Sequence, residues 1–192
     1  METKKELRKK VLNIRNQMSE EDIKNNSQEI MNKIINLSIY KQSKAIFIYM
    51  SFKNEVITSE LIKKMFNDKK KVVIPYTDMV NTLLIPSEIK DENDLVLNPF
   101  GYYEPREIIK FPVEKIDLVI VPGVVFDNNL NRIGYGKGYY DRILSAVRPD
   151  VKKVAIAHDF QVLDSIPKEE HDIKMDMIIT EKRVIAYGTE LR

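Results

Sequence analysis

The stretch "DLVIVPGVVFDNNLNRIGYGKGYYDRIL", residues 117–144, is where the chain declares its fold. It opens with an apolar run, Leu118 to Val121, that shows no polar alternation, as expected of a strand covered on both faces. The run stops at Pro122-Gly123, a loop follows, and "YYDRILSAV" then carries a helical pattern from about Tyr139. Directly before that helix stand Gly134, Gly136 and Gly138, half of the 6 glycines in 192 residues. In an open α/β sheet ligands sit beyond the carboxyl ends of the strands, so this loop lies where a site is expected.

Outward from that segment the same kind of short apolar run recurs: "AIFIYM", "VVIPY", "TLLIP", "KVAIAH", "MIIT" and "RVIAY". Helical patterns come between them, as in "TSELIKKMFND" after the first run, so the order is broadly βαβ. Upstream, Leu7, Val11, Ile14 and Met18 form one stripe of an amphipathic helix. Ser19 reads as the N-cap of a second helix and, with Asp22, resembles a capping box; Ile23, Ile30, Met31, Ile34 and Leu37 supply its apolar face. Residues 90–112, with three prolines, Gly101 and "DEND", predict surface loops, and "RVIAYGTELR" predicts a closing strand with a short tail. The expectation is a three-layer αβα sandwich with a Rossmann-like, mostly parallel sheet and N-terminal helices, residues 1–192 forming a single domain.

Charge narrows the function. The 31 basic side chains nearly balance the 29 acidic ones, and a net charge of +2 gives no argument for a nucleic-acid or anionic-membrane partner. Any cationic site must be local. Without cysteine there is no disulfide framework, thiolate nucleophile or zinc–thiolate site, which fits a reducing compartment. "METKKELRKK" lacks the apolar core of a secretory signal, and no apolar run approaches bilayer length. We expect a cytoplasmic, soluble monomer.

Unpaired N–H groups at a helix start, together with its dipole, favour an anion such as phosphate, and Lys137 adds a full positive charge. The spacing is neither that of a P-loop nor that of a dinucleotide fingerprint. A tight turn with core tyrosines would need no such cluster of glycine, lysine and aspartate.

At this point the residues carry a family resemblance. "VPGVVFDNNLNRIGYGKGYYDRIL" resembles the signature of 5-formyltetrahydrofolate cyclo-ligases, in which P-G-x-x-F-D leads to R-[LI]-G-x-G-x-G-Y-Y-D. Lys4, Leu7 and Arg8 resemble the family's N-terminal K-x-x-L-R, "MSFKNEVIT" its S-x-x-x-E-[IV]-x-T element, and "EEHDIKMDMIIT" its final acidic element. The resemblance implies an enzyme that uses ATP and Mg2+ to convert 5-formyltetrahydrofolate into 5,10-methenyltetrahydrofolate, on a three-layer α/β sandwich.

The resemblance also implies roles. Lys4 and Arg8, four apart on one side of a helix, would hold the triphosphate; a solvated basic face is the alternative. Arg132, Ile133, Gly134, Tyr135, Gly136, Lys137, Gly138, Tyr139 and Tyr140 resemble the nucleotide-binding segment, and Tyr135 to Tyr139 overlap the folate-binding stretch. Arg132 and Lys137 are the candidate catalytic cations. Glu55 matches the substrate-binding glutamate and Met50 an apolar folate contact, although Met50 equally suits strand core. Asp141 and Asp172 resemble magnesium ligands, and Asp141 in a first turn also suits helix-dipole compensation. Phe100 or Tyr102 in "NPFGYYEP" could line the aminobenzoyl end of folate, while His158 and His171 are left out of catalysis. Two other readings remain: a sugar-phosphate isomerase or CoA-transferase-like enzyme, active without ATP, and an RNA-binding surface of tyrosines with Arg132, Lys137 and Arg142.

Overall fold

The computed structural model describes residues 2–187 and 189–191, with side chains through residue 187. In chain order the elements are α1 (Lys4–Asn16), α2 (Glu20–Asn36), α3 (Ser38–Gln42), β1 (Ala45–Ile48), α4 (Ser59–Asn67), β2 (Lys71–Asp78), β3 (Leu83–Ile89), β4 (Leu95–Leu97), β5 (Tyr103–Pro105), β6 (Leu118–Val121), β7 (Val125–Asp127), β8 (Arg132–Ile133), α5 (Tyr139–Ala146), β9 (Lys152–Ile156), β10 (Val162–Leu163), β11 (Met177–Ile179), β12 (Val184–Ala186) and β13 (Thr189–Leu191).

Eight strands form one sheet in the order β13-β12-β11-β9-β6-β1-β2-β3. Its centre is parallel: β1 pairs with β2 and β6, and β9 with β6 and β11. β3 at one edge and β12 and β13 at the other run antiparallel to their neighbours. Successive residues of the central strands enter opposite cores. Ile46, Ile48, Val72, Ile74, Leu118, Ile120, Val154 and Ile156 pack with Ile30 and Ile34 of α2 and Leu61 and Met65 of α4. Phe47, Val73, Val119, Val121 and Ala155 pack instead with Ile143 and Leu144 of α5. Both faces are thus covered, and that is why the strands read as unbroken apolar runs.

A third cluster joins Leu7 and Val11 of α1 to Val124, Val125, Ile133 and Ile166 beside a small sheet of order β10-β7-β8. This small sheet continues the loop after β6. Its turn is held by Asp127, 1% exposed, whose carboxylate accepts hydrogen bonds from Asn129 N, Asn131 N, Asn131 Nδ2 and Ile166 N at 2.8–3.1 Å.

Four expectations are corrected. Residues 90–112 are not loop throughout, since β4 and β5 pair as a short antiparallel hairpin. The closing strand is two strands, β12 and β13; Gly188 and Arg192 lie outside the described residues. The capping box belongs to α1, where Thr3 and Glu6 cap one another reciprocally. At α2 Ser19 does cap the Asp22 N–H, but the shorter Asp22 carboxylate accepts the Ser19 hydroxyl at 2.8 Å instead of returning to the backbone. Finally, the buried stripe of α1 is Leu7, Val11 and Arg15, with Ile14 46% exposed.

Candidate active site

One cavity of about 1040 Å3 opens beyond the carboxyl ends of β1 and β6. The loop from Arg132 to Asp141 lines it together with Lys4, Arg8, Met50, Glu55 and Asp172, so the residues singled out for nucleotide, magnesium and pterin border the same space. Tyr102 and Tyr103 also border it; Phe100, 60% exposed, does not.

The glycine loop is shaped by what approaches it. A Cβ on Gly134 would stand 2.8 Å from Arg132 Nη1, so a larger residue there would push that guanidinium from its place. Gly136 and Gly138 adopt φ of +97° and +70°, and Gly138 is the left-handed N-cap of α5. Arg8 Nε donates to the Gly134 carbonyl at 2.8 Å, which ties α1 to the loop. The Arg132 side chain is 3% exposed and meets Asp141 Oδ1 at 3.2 Å; its Nη1 donates to Pro122 O at 3.2 Å. Its Nε has no partner among the described residues. Arg132 also lies over the Tyr140 ring at 5.7 Å. Lys137 is exposed on the same loop.

Lys4 lines the same cavity as the glycines but is engaged with two carboxylates. Its ammonium lies 2.6 Å from both Asp172 Oδ2 and Glu169 Oε2. Partial burial, which acts to lower the Lys4 pKa, is outweighed by these bonds, and the pKa is raised; burial likewise acts to raise Asp172, and Lys4 holds it down. Glu169, His171 and Asp172 offer ligand atoms within 4.8 Å of one another. The carboxylate oxygens of this group and of Asp141 are the donors a hard cation such as magnesium takes.

At the other end, Glu55 is 6% exposed. Its Oε2 accepts from Phe52 N at 2.8 Å and its Oε1 accepts the Tyr135 hydroxyl. Burial pushes its pKa up, while Tyr135, Arg15 and Phe52 N–H oppose the shift. The loop that presents it is pinned on several sides. Thr58 exchanges hydrogen bonds with Ser51, Tyr49 donates to Val56 O at 2.7 Å, and Ser27 Oγ of α2 accepts from Ile57 N at 2.8 Å. His158 is wholly buried: its Nε2 donates to Asn54 O at 3.0 Å and its Nδ1 accepts from Asn26 at 3.2 Å. Burial lowers its pKa to about 4, so it is a neutral structural group. His171 is 75% exposed in its side chain beside Glu169.

Arg15 is the residue sequence reasoning missed. It is 3% exposed behind the pocket wall, and its Nη2 donates to the Tyr135 hydroxyl at 2.7 Å. The signal was present: Leu7, Val11 and position 15 continue one stripe at steps of four. The pocket therefore offers N–H groups and cations to an oxyanion at the glycine loop, and a buried acceptor to N–H donors at Glu55.

The same arrangement of sequence recurs elsewhere. The model of the 5-formyltetrahydrofolate cyclo-ligase family matches residues 1–181. The chain is 31% identical to 5-formyltetrahydrofolate cyclo-ligase of Saccharomyces cerevisiae, over 93% of this chain and 95% of that protein. It is 30% identical to the enzyme of that name from Mus musculus, over 85% of this chain and 86% of the relative. The NMR structure of Aquifex aeolicus 5,10-methenyltetrahydrofolate synthetase superposes with a TM-score of 0.85 at 33% identity, covering 97% of this chain and 93% of that one.

Proposed function

This chain belongs to the 5-formyltetrahydrofolate cyclo-ligase family, and on that premise we propose that it closes 5-formyltetrahydrofolate to 5,10-methenyltetrahydrofolate with ATP as cosubstrate and magnesium as the metal. The observation that carries the reading is the shared cavity: an anion-binding loop and a buried carboxylate acceptor border one space of about 1040 Å3. The reactants are thereby brought into near-attack contact, which is the protein's main contribution to a phosphoryl transfer.

In the proposed sequence the formyl oxygen attacks the γ-phosphorus and ADP leaves. N10 then attacks the activated formyl carbon, the C–O bond breaks, phosphate departs with that oxygen, and the N10 proton passes to solvent. Phosphorylation turns a poor leaving group into a good one. Arg8, Arg132, Lys137 and the loop N–H groups would hold the triphosphate and offset charge as it develops on the transferred phosphoryl. Tyr139 and Tyr140 would wall the junction of the two ligands. Glu55 would accept hydrogen bonds from the pterin, and Met50 would pack against it. Bound magnesium would neutralise phosphate charge, held by Asp141 and Asp172. Lys4, four residues from Arg8 on α1, would add its positive charge to the triphosphate site. Residues 1–192 would act as one domain and as a monomer, in a reducing cytoplasm that a chain without cysteine suits.

Two readings lose support. Arg132 lies in the wall of a cavity, with its side chain 3% exposed, and not on an outer surface where RNA would bind. An isomerase or transferase would work without nucleotide. Purified protein is mixed with 5-formyltetrahydrofolate and magnesium, with and without ATP, and the near-ultraviolet band of the methenyl product is followed. Growth of the band with ATP alone is the expected result; growth without ATP, or no band from folded protein, would overturn the proposal.

A further inference from the structure

The Glu55 end of the cavity holds a buried charge that the chemistry above does not use. Arg15 continues the apolar stripe of Leu7 and Val11, where an apolar side chain would complete the packing. A guanidinium there is desolvated, and its Nε lacks a partner among the described residues. What it does contact is Tyr135. Nη2 donates to the phenol oxygen at 2.7 Å, the guanidinium lies 5.7 Å from the ring centroid, and the phenol donates its own proton to Glu55 Oε1. Asn54 Nδ2 clamps the Arg15 carbonyl at 2.8 Å, so helix, cap and Glu55 loop are joined. Tyr135 itself is 46% exposed and stands between Gly134 and Gly136. Tyr135 belongs to none of the buried apolar clusters, so turning its ring outward would leave them packed.

We propose that Arg15 is a positioning residue for the folate end of the pocket, holding Tyr135 as a removable cap on the Glu55 carboxylate. The inference rests on the folate reading above. While the cap is in place one Glu55 oxygen is occupied by the phenol and the other by Phe52 N–H. A pterin edge, with N–H donors side by side, replaces the phenol, and Tyr135 swings to the pocket mouth.

Arg15 remains behind as countercharge. The groups facing Glu55 are Tyr135 from the glycine loop, Tyr140 from α5, Tyr49 after β1, Phe52 N–H from its own loop and Arg15 from α1. The three phenols are pushed above their ordinary range, chiefly by burial, so Arg15 carries the positive charge of the set. Without it, burial raises Glu55 further and the carboxyl protonates at higher pH. Protonation turns one of the two carboxyl oxygens into a donor, so the group no longer presents a pair of acceptor oxygens to a pair of N–H donors.

The test is calorimetric titration of nucleotide-free protein with 5-formyltetrahydrofolate between about pH 5.5 and 8.5, for wild type, Arg15→Met, Arg15→Lys and Tyr135→Phe. Arg15→Met is expected to lose affinity relative to wild type progressively toward acid, approaching tenfold per pH unit where only the variant's Glu55 protonates. Arg15→Lys, which keeps the charge, is expected to keep the wild-type profile. Tyr135→Phe is expected to bind at least as tightly as wild type at the alkaline end, because the competing phenol is gone. A pH-independent loss in Arg15→Met would reduce Arg15 to a structural role and overturn the inference. A loss beyond about tenfold in Tyr135→Phe at alkaline pH would do the same, by making the phenol a substrate contact. If Arg15→Met does not fold, the half-exposed Tyr135→Phe decides alone. Wild type that fails to bind the folate at any pH would instead overturn the folate reading, and this inference with it.

Discussion

The two ends of the cavity are built differently. At the glycine loop the partners are neighbours in sequence: Arg132 reaches Asp141, nine residues on, and Pro122, ten residues back, and is shaped around by Gly134. At Glu55 the partners come from across the chain. Tyr135 is 80 residues from Glu55, Arg15 is 120 from Tyr135, and His158 is 104 from Asn54 and 132 from Asn26. The first end is built mostly within its own strand–loop–helix unit, with one long-range tie, from Arg8 of α1 to the Gly134 carbonyl. The second exists only after α1, α2, the loop after β1 and the segment after β9 have docked, so damage there should appear first as altered stability and folate affinity. Damage at the glycine loop should appear first in turnover.

The sharpest break is Arg132→Met. It removes a buried cation from the proposed phosphoryl site and is expected to lower kcat by about a thousandfold, or ~4 kcal/mol, in the absorbance assay, with folate affinity nearly kept. His158 probes the other end through pH. Its folded pKa of about 4 lies below the ordinary 6.5, so the folded state refuses a proton that the unfolded chain accepts. The associated stability is fully present above pH 6.5 and declines as pH falls toward 4, by on the order of 3 kcal/mol. Urea unfolding of wild type and His158→Gln at neutral and acidic pH checks this: the variant is expected to be less stable at neutral pH but to lose less on acidification.

Asp141→Asn sharpens the comparison at intermediate size. It keeps the shape of the first turn of α5 while removing the carboxylate from Arg132 and from the proposed metal. Magnesium-dependent turnover is expected to fall about thirtyfold, ~2 kcal/mol, with folate binding almost unchanged. An equal fall in both would mean that Asp141 only holds the loop together. The smallest effect is expected from Gly138→Ala. Nothing lies within 4 Å of the added Cβ, so the penalty is that of a left-handed φ of +70° alone, about 1 kcal/mol in denaturant unfolding.

The same contrast explains what could be read in advance. Strand runs such as "DLVIVPG" announced their burial because both faces are apolar, and the cluster of glycines, Lys137 and Asp141 was legible because it is contiguous in the chain, whereas the roles of Arg132 and Asp141 came from the family resemblance. Glu55 was visible only through the resemblance of "MSFKNEVIT" to a family element. Arg15 stood in the stripe of Leu7 and Val11 at steps of four but was passed over, since a helical stripe scored by hydrophobicity prefers Ile14, and nothing local to α1 says that a phenol 120 residues away will meet position 15.

By itself the sequence determined the layered α/β order, the place of the glycine loop and the family, because these depend on local periodicity and contiguous motifs. The tertiary structure alone decided that Ile14 faces out and Arg15 in, that Lys4 rests on Asp172 and Glu169, and that Tyr135 covers Glu55. Those choices turn on which buried charge finds a partner. A partner supplied by another element exists only once the chain has folded.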